Sequence, residues 1–221
     1  MKICFINPPF KADLGKFSRE SRSPAITRSG ALYYPLWLIY AAAYAEKKGF
    51  DIYFLDAPAK QFNEEQSLKL ISDNASDSRL FVLDTSTPSI SNDIRFGESL
   101  KKQYPEAFIL LVGTHPSSTV EETLNYGTLI DGIARKEYDY TVSILARALQ
   151  DSTSLYTVPG LTFRQEGAIL HNADAEYISD LDDIPFASQF IKKHLSEMDY
   201  FFAAAHYPAI QIFTGRGCPS K

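Results

Sequence analysis

Ala107-Phe108-Ile109-Leu110-Leu111-Val112 is an unbroken apolar run that ends at Gly113-Thr114-His115-Pro116. Six apolar residues without polar alternation describe a strand buried on both faces, which implies a parallel sheet covered by helices on each side. The same unit recurs in both directions along the chain. Upstream, Leu80 to Leu83 reads as a strand that leads through Asp84-Thr85-Ser86-Thr87-Pro88 into a helix over Ser89 to Gln103, with Ser89 or Ser91 as its N-cap. Before it come a strand at Lys2 to Ile6, a helix over Pro35 to Lys48 stopped by Gly49, a strand at Asp51 to Leu55 and a helix over Glu64 to Ala75. Downstream lie a short helix at Thr119 to Leu124, a strand at Thr128 to Ile133 and a closing helix over Tyr138 to Leu149. Strands alternating with helices in this way predict an α/β fold with a doubly wound, five-stranded parallel sheet. The flavodoxin-like (Rossmann-like) order 2-1-3-4-5 is expected.

The totals bound what such a chain does. At 221 residues and 45% hydrophobic, it has enough apolar material for one core of roughly 150 residues plus an appendage. A net charge of -5 argues against a general nucleic-acid role, which shows a basic excess. No apolar run reaches the roughly 18 residues of a membrane span. Met1 to Phe10, with one lysine and two prolines, reads as a strand and not as a signal peptide. Cys4 and Cys218 stand at opposite ends, so no disulfide framework is implied and a reducing, cytoplasmic setting is expected.

The pattern changes after Gln150. Gly160 to Arg164 and Ala168 to His171, around Gln165-Glu166-Gly167, read as a β-hairpin, and the acidic run Asp180-Leu181-Asp182-Asp183 precedes Ile184-Pro185. Ala209 to Phe213 is another strand of the buried type, followed by Thr214-Gly215-Arg216-Gly217-Cys218-Pro219-Ser220-Lys221. The expected division is a first domain over 1–150, a connector with the hairpin over 151–187, and the start of a second domain over 188–221. An ending in a glycine-rich loop straight after a core strand suggests a piece of a longer protein.

In an open parallel sheet, ligands bind at the carboxyl ends of the strands. Four loops line that edge: the long basic loop Asn7 to Tyr34, the run Asp84 to Ser89, the run Gly113 to Ser118, and Arg135-Lys136-Glu137-Tyr138. Glycine lets backbone approach a bulky ligand, and small hydroxyl residues supply donors for amides or a phosphate. Asn7, Pro8, Ser86, Thr87, Gly113, Thr114 and His115 are therefore the candidate ligand contacts. The competing reading is that the serines and threonines cap the following helices. Asp84 is a candidate ligand contact or a turn residue. His115 meets the ligand or bonds to local backbone. No G-x-G-x-x-G follows the first strand and no G-x-x-x-x-G-K-[ST] occurs, which excludes the usual dinucleotide and nucleoside triphosphate loops. A response regulator would want paired acids near the first strand, where Asn7-Pro8-Pro9 stand instead.

Several segments carry a family resemblance in their order and spacing. Ile6-Asn7-Pro8-Pro9 closes the first strand, Tyr34-Pro35-Leu36-Trp37-Leu38-Ile39-Tyr40 opens the first helix, and Leu55-Asp56-Ala57 ends the second strand. Val112-Gly113-Thr114-His115-Pro116, Asp131-Gly132-Ile133-Ala134-Arg135, Gly160-Leu161-Thr162-Phe163-Arg164 and Leu181-Asp182-Asp183-Ile184-Pro185-Phe186 follow. The chain resembles, over nearly its whole length, the N-terminal cobalamin-binding domain of the B12-dependent radical S-adenosylmethionine (SAM) proteins. That family includes methyltransferases and the anaerobic magnesium-protoporphyrin monomethyl ester cyclase. Two departures bear on detail. Many members carry a Gly-Glu-Gly-Glu stretch where this chain has Lys136-Glu137-Tyr138-Asp139. The D-x-H-x-x-G signature of histidine-ligated corrinoid proteins is missing, and the first loop holds no histidine. The resemblance therefore implies base-off cobalamin without a protein histidine on cobalt.

The resemblance also gives the end of the chain a meaning. Radical SAM proteins hold a [4Fe–4S] cluster through C-x-x-x-C-x-x-C, with SAM on the open iron. Cys218, after Gly215-Arg216-Gly217, matches the first ligand, and Ala209 to Phe213 would be the first strand of the catalytic barrel. The implied cofactor of this chain is cobalamin. A full-length parent would add the cluster, SAM and a small-molecule substrate, and the chain alone would not be catalytic. The alternative is a vestigial domain that keeps the fold and recognises substrate or partner without cobalamin. Oligomeric state is not implied by any feature.

Overall fold

The computed structural model of the chain describes residues 1–20 and 24–217. Strands β1 (Lys2–Asn7), β4 (Asp51–Asp56), β5 (Leu80–Asp84), β6 (Phe108–Val112) and β7 (Gly132–Ala134) form a parallel sheet in the order β4-β1-β5-β6-β7. This is the expected flavodoxin-like order with the first strand central. Side chains alternate between the two faces with a period of two. Ile3 and Phe5 of β1, Leu80 and Val82 of β5, and Leu110 and Val112 of β6 join one core. Cys4 and Ile6, Phe81 and Leu83, and Ile109 and Leu111 join the other. Two faces buried at once explain why these strands read as unbroken apolar runs.

Each core belongs to its own helical layer. Helix α1 (Leu36–Lys47) packs against the first face between α7 (Asp139–Asp151) and α8 (Ala187–His194), and its run of Ala41, Ala42 and Ala43 permits the close approach. Its end is set by Gly49 at φ 88°, where the amides of Lys48 and Gly49 return to the carbonyls of Tyr44 and Glu46. Helices α3 (Glu64–Ala75), α4 (Ile90–Gln103) and α6 (Val120–Tyr126) cover the second face with Ile71, Ile94, Leu100 and Leu124. A capping box starts α3: Asn63 Oδ1 accepts from the Gln66 amide, and Gln66 Oε1 accepts from the Asn63 amide.

Three features differ from the sequence expectation. The hairpin β8 (Leu161–Gln165) and β9 (Ala168–His171) is an antiparallel extension of the main sheet, with Gly132 opposite Phe163, so the sheet has seven strands. Arg135 ties the hairpin down by donating to Thr162 Oγ1, the Asn172 carbonyl and Asp174. The region after β6 is more helical than expected, because α5 (Thr114–Ser118) precedes α6. The third difference is a correction: Ala209 to Phe213 is not a strand. No described strand offers it a hydrogen-bonding ladder; the Phe213 ring lies 4.7 Å from that of Trp37 on α1, while Ile212 and much of Phe213 stay exposed. A short antiparallel pair, β2 (Lys16–Ser18) and β3 (Ala25–Thr27), lies in the loop between β1 and α1. The remaining helix, α2 (Ala57–Lys60), follows β4 directly.

Candidate functional site

The carboxyl ends of β1, β4, β5 and β6 carry a buried polar network. Asn7, the last residue of β1, donates from Nδ2 to Asp56 Oδ1 at 2.8 Å and accepts from Arg19 Nη1 at 2.5 Å. Arg19 also donates to the Pro8 carbonyl at 2.9 Å and to Asp93 Oδ1 at 2.6 Å. Its side chain is 1% exposed and that of Asp93 0%. Asp93 further accepts from Ser89 Oγ at 2.5 Å, and Ser89 Oγ lies 2.9 Å from Ser86 Oγ. Asp56 holds the Tyr200 hydroxyl at 2.7 Å. Arg19 therefore folds the first loop onto the first turn of α4 and links the loops after β1 and β5 through charge-assisted bonds.

The loops after β5 and β6 meet more tightly. Gly113 has φ 122°, and a Cβ there would stand 2.3 Å from the Thr85 carbonyl oxygen. Only glycine allows this approach. Beside it, Thr85 Oγ1 donates to the Val112 carbonyl at 2.7 Å, and His115 Nδ1 lies 3.2 Å from Thr87 Oγ1. Thr87 and Thr114 are exposed, Ser86 is buried, and the Thr114 carbonyl accepts from Ser118 Oγ. Of the residues singled out in the sequence, Asn7 and Pro8 are joined to Ser86 through Arg19, Asp93 and Ser89. Gly113, Thr114, His115 and Thr87 cluster around the β5–β6 junction. Cys218 lies outside the described residues. The capping alternative is not realised for Ser89, whose hydroxyl binds the Asp93 carboxylate and makes no side-chain cap to the backbone.

Two atoms of this edge are buried without any hydrogen-bond partner: Asp84 Oδ2 and the Tyr138 hydroxyl. Asp84 ends β5 at 4% exposure, and Tyr138 precedes α7 at 6%. Burial pushes the Asp84 carboxyl well up, against the opposing pull of Arg19, and pushes Glu20 in the same direction, with the Asp84 charge adding to it. Burial likewise raises Asp56 to about 6. Burying a polar atom unpaired costs about 1–3 kcal/mol. Two such atoms at one sheet edge are what a polar ligand would satisfy. Sequence reasoning placed Arg19 and Tyr138 only within loops of this edge and assigned no site role to Asp56 or Asp93. Asp93 falls at a helix position that patterning treats as solvent-facing, and its partner stands 74 residues away. Among the described residues there is no cluster of three potential metal ligands.

The family follows from the chain itself, since residues 22–146 match the B12 binding domain. The chain belongs to the B12-binding domain family. Among curated proteins, this B12-binding domain is 26% identical over 220 residues to an uncharacterized methyltransferase of Pyrococcus horikoshii, covering 99% of the chain and 44% of that protein. It is 25% identical over 219 residues to the anaerobic magnesium-protoporphyrin IX monomethyl ester cyclase of Synechocystis, covering 99% and 41%. The chain thus spans less than half the length of either relative. Among solved structures, the cobalamin-dependent S-adenosylmethionine radical enzyme OxsB, with aqua-cobalamin and S-adenosylmethionine bound, superposes with a TM-score of 0.68 at 16% identity, covering 87% of this chain and 25% of that one. The radical S-adenosylmethionine methyltransferase TsrM of Kitasatospora setae gives 0.62 at 13%, covering 79% and 30%. These two likenesses are of fold. The B12-binding domain thus resembles those of cobalamin-dependent radical SAM enzymes, and no observation favours a vestigial domain over it.

The residues at the edge fit the family's cofactor. Cobalamin carries amide side chains and a phosphate, and the edge offers the unpartnered Asp84 Oδ2 and Tyr138 hydroxyl, the exposed hydroxyls of Thr87 and Thr114, and the backbone of Gly113. None of these residues lines the cavity between Tyr34 and Tyr200 or the one between α1 and α8. No described helix is long and apolar enough to cross a membrane.

Proposed function

We propose that the chain binds cobalamin along the carboxyl edge of its parallel sheet, between the loops that follow β1, β5 and β6. The observation that carries this reading is the pair of buried, unpartnered polar atoms, Asp84 Oδ2 and the Tyr138 hydroxyl, beside the glycine-dependent contact of Gly113 with Thr85. Asn7 and Pro8 would border the ligand from β1. Ser86, Thr87, Gly113, Thr114 and His115 would line it from β5 and β6. When bound, the corrinoid supplies a cobalt centre able to carry a methyl group. The protein orients it and shields one face. His115 is already engaged with Thr87, and it binds an amide or the corrin rim without ligating cobalt.

In a full-length parent, Cys218 would be the first of three cluster ligands. SAM would occupy the open iron and a small molecule would be the substrate, consistent with methyl transfer or another radical transformation. Iron–sulfur chemistry and two widely separated cysteines suit a reducing cytoplasm. Nothing in the charge of -5 recommends a nucleic-acid partner.

Incubation of the purified chain with aquacobalamin, followed by gel filtration with absorbance detection, tests the reading. A stoichiometric base-off spectrum should travel with the protein peak and persist in His115→Ala. Cobalamin eluting wholly at the small-molecule position would refute the site. A clear spectral change in His115→Ala would make that histidine a cobalt ligand.

A further inference from the structure

The segment that leads to Cys218 is fastened to the sheet edge by one side chain. Arg216 donates from Nη1 to Asp139 Oδ2 at 2.7 Å and from Nη2 to Oδ1 at 3.0 Å, a bidentate pair. The two side chains are 8% and 5% exposed. The guanidinium carbon also lies 5.1 Å from the ring centroids of Trp37 and of Tyr40. Phe213 closes the stack from its own side, 4.7 Å from Trp37 and 6.2 Å from Tyr40. A buried arginine that meets a carboxylate with both nitrogens and lies over two aromatic faces has little freedom to move.

The location gives this pair its meaning. Helices in a parallel α/β fold begin at the carboxyl edge of the sheet. Asp139 is the first residue of α7, and Trp37 and Tyr40 lie in the opening turns of α1. Tyr138, with its unpartnered hydroxyl, is the neighbour of Asp139, and the Arg216 charge acts on it together with those of Asp84 and Glu20. The backbone of 209–213 enters no sheet, so side chains alone hold this stretch.

We infer that Arg216 is a positioning residue: its pairing with Asp139 holds the Phe213–Gly217 segment beside the proposed corrinoid edge. The inference rests on the cobalamin-binding reading for its purpose but not for the contact itself. An exposed tether would leave the position of this segment to diffusion, whereas a buried bidentate pair holds it.

Two readouts test it on the purified chain. Trp37 is the single tryptophan, so its emission reports the stack directly. Arg216→Ala and Asp139→Asn should each red-shift the emission to the same extent without added cobalamin, the double variant should add nothing, and Arg216→Lys should restore part of the wild-type spectrum. Emission unchanged in Asp139→Asn would overturn the latch. The second readout uses a nitroxide on Thr214→Cys in a Cys218→Ser background, since Cys4 is fully buried and burial pushes its thiol far up. Bound base-off cob(II)alamin should broaden the nitroxide signal in wild type, and either single variant should lose the broadening about several-fold while still taking up cobalamin. Equal broadening in wild type and Asp139→Asn, or none in cobalamin-loaded wild type, would overturn the positioning role. If no cobalamin binds at all, the proposed function fails, and the Trp37 result still decides the latch.

Discussion

From Leu80 to Leu83 every side chain of β5 is apolar and fully buried, whereas Asp84, one residue further along the same strand, is almost as buried and keeps a carboxylate oxygen without a partner. The same break occurs on β1 between Ile6 and Asn7, and on β4 between Leu55 and Asp56. The body of the sheet and the last residues of these strands are therefore comparably buried but chemically opposed. Each buried aliphatic side chain in the body stabilises the fold by about 1.5–3 kcal/mol. Each unpaired polar atom at the edge costs a similar amount. The body can support an edge whose composition is set by binding and not by stability.

Breaking the edge where it is most highly charged should have the largest effect. Arg19→Met leaves Asp93 buried and unpaired, and a loss of about 3–5 kcal/mol in chemical denaturation is expected. Adding Asp93→Leu should recover most of it, because two apolar residues need no partners. A loss below about 1 kcal/mol for Arg19→Met would mean that the edge is hydrated like ordinary surface.

Next in size is Gly113→Ala. The added Cβ meets the Thr85 carbonyl at 2.3 Å in a left-handed backbone, so about 2–4 kcal/mol should be lost and cobalamin uptake impaired. Leu110→Ala in the body, expected to cost about 2–5 kcal/mol, should leave the residual folded protein able to bind. If both variants bind equally well per folded molecule, the distinction between edge and body is lost.

A smaller effect separates the two regions by pH. Burial raises the Asp56 carboxyl to about 6 although Tyr200, the Ala59 amide and Asn7 all donate to it. The native state thus holds a proton that the unfolded chain has released. Asp56 contributes fully below its usual value of 3.8, and this contribution is lost as pH rises through about 6. Asp183 behaves oppositely: its bond to Lys47 helps hold it at about 2 against its partial burial, so its contribution exists above the usual carboxylate range and is lost on acidification. Asp56→Asn should reduce the decline in stability between pH 4 and pH 6 by on the order of 2 kcal/mol, the remainder belonging to Asp84 and Glu20, and leave the acid limb below pH 4 unchanged. A decline of unchanged size in Asp56→Asn would assign it to those other groups.

The smallest expected change is the most discriminating for function. Tyr138→Phe removes an unpartnered hydroxyl, so stability should change by less than about 1 kcal/mol or rise slightly. Cobalamin affinity should nevertheless fall by about tenfold if the hydroxyl serves the ligand, since one hydrogen bond is worth on the order of 1.4 kcal/mol. Affinity equal to wild type by absorbance titration would remove Tyr138 from the site.

The body was largely legible in the sequence, and the edge was not. Runs such as Ala107 to Val112 carry their burial in their composition. The order of strands followed from their alternation with helices. The Gly113 and Ser86 loops could be placed because position after a strand is enough to locate the edge. Arg19 and Asp93 could not be paired, because each looks like an ordinary surface charge until folding brings them together. Ala209 to Phe213 misled for the converse reason: five residues of strand-like composition form a strand only when a neighbour supplies hydrogen bonds, and here none does, so Phe213 rests against Trp37 while it and Ile212 stay exposed. The hairpin was visible, but its docking on β7 depends on Arg135 reaching Thr162 and Asp174.

The position of β1 in the middle of the sheet also constrains how the molecule comes into being. β1 leaves the ribosome before either of its partners; in the folded chain Lys2 is paired with Asp51 on one side and Ile3 with Leu80 on the other. Neither partner exists when β1 emerges, and at roughly 5–20 residues per second several seconds pass before both are available. During that interval Ile3, Cys4, Phe5 and Ile6 form a short apolar strand with two open edges, bounded on its far side by Pro8 and Pro9, which cannot donate to a ladder. The two prolines that close β1 thus also stop a waiting strand from lengthening into a template for other chains.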